Sequence, residues 1–81
     1  AGEEVQLTTI EFRLLAELVR NAGRVLTREV LLERVWGYDY LGDSRLVDMA
    51  VKRLRGKLGP APGPGDYVAT VRGVGYRFER G

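Results

Sequence analysis

All three prolines of this chain, Pro60, Pro62 and Pro64, fall within the eight residues Gly59-Pro60-Ala61-Pro62-Gly63-Pro64-Gly65-Asp66. Proline lacks a backbone N–H and holds φ near −65°, so such a stretch continues neither a helix nor a central strand. It divides the chain into two parts with different periodicities. With 81 residues in total, the chain is one small domain, near the lower end of what buries an independent core.

Upstream of the break the pattern is helical. Val5 and Leu7 alternate with polar neighbours, a short strand candidate over Glu4 to Leu7. Thr8 with Glu11 three residues later has the form of a capping box, and Leu7 and Phe12 stand at the staple positions around it. A helix is therefore predicted from Thr9, with Phe12, Leu15, Leu18 and Val19 as its buried stripe and Gly23 past its end. Arg24-Val25-Leu26 reads as a brief extended link. Thr27 is a second cap, with Leu26 and Leu31 repeating the staple spacing. That helix is predicted to run to about Trp36 and stop at Gly37, with Val30, Leu31 and Val35 on its apolar side. A loop, Tyr38-Asp39-Tyr40-Leu41-Gly42, leads to Asp43 or Ser44 as the cap of a third helix that Gly59 ends.

Downstream the pattern has the two-residue period of strands. Tyr67-Val68-Ala69-Thr70-Val71 is β-branched and aromatic, and Tyr76-Arg77-Phe78-Glu79 alternates apolar with polar. Arg72-Gly73-Val74-Gly75 lies between them, which makes a β-hairpin with a basic tip. Tyr76 and Phe78 both point inward on this alternation, and Gly73 and Gly75 read as turn geometry. Three short helices followed by a hairpin describe a winged helix-turn-helix, mainly α with a small β component, whose wing is the hairpin.

The third helix carries the functional signal. At about 100° per residue, Val47, Ala50, Val51, Leu54 and Leu58 share an apolar face. Arg45, Met49, Lys52 and Arg53 share the opposite one, and Asp48 and Arg55 lie on one flank. Between Ser44 and Leu58 five bases face one acid, although the whole chain has a net charge of only +2. The residues before Ser44 are net acidic, so a modest total conceals a concentrated basic patch, the electrostatic footprint of a nucleic-acid partner. An arginine fork matches the acceptors of guanine, and an apolar tip matches a thymine methyl. The competing interpretation is a solvated charged face.

The chain has no cysteine and no histidine. Disulfide scaffolds, zinc fingers, serine triads and imidazole bases are thereby excluded, and the scattered carboxylates suggest no enzyme; no metal or cofactor is expected. No apolar run reaches the ~18 residues that span a bilayer. A start at Ala1-Gly2-Glu3 without methionine reads as a module excised from a longer cytoplasmic protein.

Four ordered motifs resemble one family. Leu7-Thr8-Thr9-Ile10-Glu11-Phe12-Arg13-Leu14-Leu15 is similar to the opening of the OmpR/PhoB-type effector domains of bacterial two-component response regulators. Arg24-Val25-Leu26-Thr27-Arg28 with Leu31-Leu32 and Val35-Trp36-Gly37 resembles their second-helix signature. Arg45-Leu46-Val47-Asp48 with Lys52-Arg53-Leu54-Arg55-Gly56-Lys57-Leu58 resembles their recognition helix. Thr70-Val71-Arg72-Gly73-Val74-Gly75-Tyr76-Arg77-Phe78 resembles their wing. The likeness runs from Gly2 to Phe78. Relatives begin with a four-stranded antiparallel sheet, of which only the last strand is expected here, and the receiver domain is expected to lie outside the chain. Position 50, often a larger polar or aromatic residue in relatives, is Ala here and position 49 is Met, so the resemblance does not imply a base preference there.

The resemblance implies sequence-specific binding of double-stranded DNA and regulation of transcription, on tandem half-sites, with the isolated domain a monomer. It places Arg53 on a base edge, Arg45, Lys52 and Arg55 on phosphates, and Met49 against a thymine methyl. Asp48 either accepts from a cytosine amine or pairs with Lys52 four residues on. Arg72 enters the minor groove and Thr70 meets a phosphate; Trp36 lies beside the backbone or serves as core. Tyr38, Asp39, Tyr40 and Leu41 face RNA polymerase or simply wrap the helix corner. A winged-helix protein-interaction module and an RNA-binding winged helix are the alternatives.

Overall fold

The computed structural model describes residues 6–37, 43–59 and 67–79. The proline block from Pro60 to Asp66, the whole loop from Tyr38 to Gly42, and all but the end of the expected opening strand lie outside these residues. The element order is α1 (Thr9–Arg20), β1 (Val25–Thr27), α2 (Arg28–Leu31) continued by a π-helical segment (Leu32–Trp36), α3 (Arg45–Leu58), β2 (Val68–Val71) and β3 (Gly75–Phe78). Three helices and a small antiparallel sheet make the winged-helix arrangement that the sequence predicts.

The caps explain where the helices begin. The Thr8 hydroxyl accepts from the Glu11 amide at 3.2 Å, and the Glu11 carboxylate accepts from the Thr8 amide at 2.8 Å. Two of the unpaired amides of the first turn are thus satisfied at once. Thr27 does the same for α2 through the Val30 amide at 3.1 Å. At α3 it is Asp43, not Ser44, that acts: its carboxylate accepts from the Arg45 amide at 2.9 Å, while Ser44 makes no capping bond. Gly23, Gly37 and Gly59 carry positive φ at the helix exits, a region that only glycine enters freely.

The core lies where α1, the π-helical segment, α3 and the sheet meet. Leu14, Leu18, Leu31, Val35, Val47, Val51, Leu54 and Val68 are all less than 2% exposed, each contributing roughly 1.5–3 kcal/mol by leaving water. The apolar face predicted for α3 is the buried one, with Leu58 half-buried at its end.

The stripe expected on α1 needs correction. Its buried residues are Glu11, Leu14 and Leu18, whereas Phe12 is 63% and Val19 43% exposed. Apolar residues stand at positions 10, 12, 14, 15, 18 and 19, which form two overlapping helical lines. The line packed inward begins with a glutamate, and polarity alone discards that line. Glu11 is tolerated inside because the Thr8 amide and Lys57 Nζ, 2.5 Å from Oε1, both bond it. Lys57 donates first and the Thr8 amide next; together they outweigh desolvation and hold the Glu11 pKa below its ordinary value.

The second correction concerns Val25 to Thr27. The expected link is the third strand of a sheet ordered β1-β3-β2, pairing Val25 with Arg77, Leu26 with Tyr76 and Thr27 with Gly75. This gives Gly75 a different reason from a turn. A Cβ built there would stand 2.0 Å from the Leu26 carbonyl oxygen, so the β1–β3 approach requires glycine. Gly73, at φ +75° in the tip, is the turn glycine.

Candidate nucleic-acid interface

The outward face of α3 is assembled as its periodicity predicts. Arg45, Met49, Lys52 and Arg53 are all exposed, Met49 by 53%. Among the described residues, no carboxylate pairs with Lys52 or Arg53. Trp36, half-buried at the end of the π-helical segment, joins Leu46, Met49, Ala50 and Arg53 around one half-open groove of 320 Å³. Arg72 and Thr70 are exposed on the hairpin, Arg72 at its tip.

The remaining charges of the basic patch are engaged. Arg45 bonds Asp43 through Nε at 2.8 Å, on the helix's own entry, yet its side chain stays 83% exposed. This pairing raises the Arg45 pKa and lowers that of Asp43. Lys57 is turned inward onto Glu11. The five-to-one excess of bases therefore overstates what α3 presents outward. Among the described residues, Lys52 and Arg53 are its cations with neither an ion-pair partner nor a side-chain hydrogen bond.

Asp48 is where the sequence expectation of an in-helix partner is overturned. Arg28, not Lys52, is its partner: Arg28 Nε donates to Oδ1 at 2.7 Å, and the Tyr76 hydroxyl donates to the same oxygen. Burial on its own would raise the Asp48 pKa. The bonds from Arg28 and Tyr76 outweigh it and hold the carboxyl below the ordinary range. The phenol responds oppositely, with burial and the bond to Asp48 pushing Tyr76 upward. Arg28 is raised by its bond to Asp48. No local pattern reveals this partner, because Arg28 lies twenty residues upstream on another helix. Only the inward alternation of Tyr76, which is 5% exposed, indicated that the wing reaches α3.

Arg55 is likewise occupied on one edge. Its Nε and Nη2 donate to the Val68 carbonyl at 2.9 and 2.5 Å, and Nη2 also donates to Thr70 Oγ1 at 2.7 Å. Both Arg28 and Arg55 lie over the Tyr76 ring, 5.9 and 5.6 Å from its centroid. Arg28 and Tyr76 are thus members of the site that sequence reasoning missed. The loop residues Tyr38, Asp39, Tyr40 and Leu41 lie outside the described residues.

A basic helix face beside a hairpin with an arginine at its tip defines a winged-helix domain of the nucleic-acid-binding kind. The chain belongs to the family described as "Transcriptional regulatory protein, C terminal", which it matches over residues 2–78. It is 55% identical over 78 residues to the transcriptional regulatory protein AfsQ1 of Streptomyces coelicolor, covering 96% of this chain and 35% of that protein. The chain thus spans about a third of this curated relative. Among solved structures, the DNA-binding domain of Klebsiella pneumoniae RstA in complex with the RstA box superposes with a TM-score of 0.82. It is 41% identical, over 96% of this chain and 77% of that one. The Thermotoga maritima response regulator DrrB, described as an OmpR/PhoB homolog, gives 0.84 at 39% identity, over 98% and 36%. No described helix is long and apolar enough to cross a membrane.

Proposed function

We propose that this chain binds double-stranded DNA sequence-specifically and regulates transcription as the output domain of a cytoplasmic two-component response regulator, by binding and without catalysis. The observation that carries this is the outer face of α3, where Lys52 and Arg53 flank an exposed Met49 and no described carboxylate covers them. RstA's complex with its box, in a domain of the same fold, supports DNA as the ligand, and a helix of this shape fits the major groove.

Arg53 then reads a guanine through a bidentate fork, and Met49 meets a thymine methyl. Lys52, Arg45 and Trp36 lie along the backbone, where contacts set register and carry affinity but little sequence information. Asp48 Oδ1 is committed to Arg28 and Tyr76, which leaves Oδ2 to accept from a cytosine amine. Thr70 meets a phosphate, and Arg72 enters the adjacent minor groove, whose negative potential is greatest where it is narrow. Tandem half-sites bring two copies together. The receiver domain supplies the signal from outside this chain, and the loop from Tyr38 to Leu41 faces RNA polymerase.

Selection from a random duplex library followed by Arg53→Ala tests this proposal. The substitution is expected to cost ~1–3 kcal/mol on the selected duplex and to relax preference at one base pair. On a scrambled duplex it should cost little. Equal losses on both would remove Arg53 from base reading, and an affinity that ignores salt would contradict phosphate binding altogether.

A further inference from the structure

Among the described residues, the strand that runs into the wing tip, β2, is paired on one side only, since the sheet order is β1-β3-β2. The Tyr67 carbonyl accepts from the Glu79 amide at 2.7 Å. Alternation along an antiparallel strand then turns the next carbonyl, that of Val68, away from β3 and towards the open edge. Arg55 meets it there. Its fork bonds that carbonyl twice and the Thr70 hydroxyl once, while its Cζ lies over the Tyr76 ring. The Tyr76 hydroxyl in turn bonds Asp48, back on α3. The sheet is thus held at one margin by β1 and at the other by a side chain of the helix proposed to read the bases.

From this geometry we infer that Arg55 is a positioning residue for the wing. Its fork sets the angle at which β2, and with it Arg72, leaves α3, so that Arg53 and Arg72 engage the two grooves of one duplex together. The inference rests on the DNA-binding proposal above and adds a role to Arg55 that a phosphate contact does not require. A lysine supplies a charge to a phosphate equally well. It lacks the rigid fork that bonds one carbonyl through two nitrogens and a hydroxyl beside it. The two N–H groups of Nη1 take no part in the clamp, so the same side chain can hold the wing and still meet the backbone.

The test is a double-mutant cycle between Arg55 and Arg72, which make no hydrogen bond or ion pair with each other among the described contacts and should act independently if each merely touches DNA. Arg55→Lys and Arg72→Ala are measured singly and together by fluorescence anisotropy on the selected duplex at fixed salt. Arg72→Ala is expected to weaken the unmodified chain about tenfold. In the Arg55→Lys background, where the tip is no longer aimed, it should cost about twofold or less. The same factor in both backgrounds would overturn the clamp. Thr70→Val, at an exposed position, carries the same cycle should Arg55→Lys fail to fold. A DNA-free arm separates this inference from the proposal beneath it. Residual dipolar couplings of the hairpin amides, 67–79, should change relative to those of α3 in Arg55→Lys, while α1 and α3 keep theirs. Unchanged hairpin couplings refute the clamp, whereas absence of duplex binding by the unmodified chain refutes the DNA-binding proposal and leaves this arm to decide on the clamp.

Discussion

Replacing Gly75 with alanine would place a methyl carbon 2.0 Å from the Leu26 carbonyl oxygen and 2.9 Å from both the Leu26 carbonyl carbon and the Thr27 Cα. Even attractive carbon–oxygen contacts keep about 3.3–3.6 Å, so β1 and β3 must separate by more than about 1 Å. Every atom in the way is backbone, and no rotamer change relieves the clash. Separation breaks ladder hydrogen bonds that contribute about 1 kcal/mol each, and more when the freed groups stay buried. It also draws Leu26 and Tyr76, 8% and 5% exposed, partly out of the core. Together these effects come to about 3–5 kcal/mol. A chain of this length has a total stability of roughly 4–12 kcal/mol. At about 4–8 °C per kcal/mol, the melting temperature should fall by at least ~12 °C. Thermal and urea unfolding followed by circular dichroism measure it. Gly73→Ala is the matched control: no heavy atom lies within 4 Å of its built Cβ, and only left-handed strain of about 1–2 kcal/mol opposes it. A Gly75→Ala variant no less stable than Gly73→Ala would refute the close approach of the strands.

The acid side of the stability profile should report the carboxylates that are paired in the folded chain. The folded pKa of Glu11, lowered first by Lys57 and then by the Thr8 amide, contributes stability above the unfolded value that is lost as pH falls through the folded one. Asp48 and Asp43 shift in the same direction. The melting temperature should therefore hold above about pH 5 and decline below about pH 4. Glu11→Gln should begin lower at neutral pH and decline less; identical slopes for the two proteins would contradict this. Thr27→Ala removes the acceptor of the Val30 amide and should cost about 1 kcal/mol in urea unfolding. A change within experimental error would show that this cap is idle.

What the sequence disclosed and what it concealed follow the range of the interactions concerned. The capping box at Thr8 and Glu11, the cap at Thr27 and the two faces of α3 depend on residues three or four apart, and each is legible as a local pattern. The hairpin was legible for the same reason, its strands being joined by a three-residue tip. Val25-Leu26-Thr27 was not, because three residues are too few to show alternation and their partner lies some fifty residues downstream. Phe12 and Leu14 compete for the same helix, and only the packing of α3 decides between them. The engagement of Asp48 with Arg28, and of Lys57 with Glu11, depends on elements meeting in space. Net charge over the third helix could therefore locate the interface but not say which cations it presents.

The most direct measurement is a titration of the ¹⁵N-labelled chain with the selected duplex at two salt concentrations, followed by amide and side-chain resonances. Shifts should concentrate at Arg45, Met49, Lys52 and Arg53 on α3 and at Arg72 to Val74 on the wing, and should weaken as salt rises. The outer face of α1, around Arg13 and Arg20, should stay unmoved. Resonances of α3 and the wing that remain in place while duplex is added, or shifts confined to α1, would contradict the account.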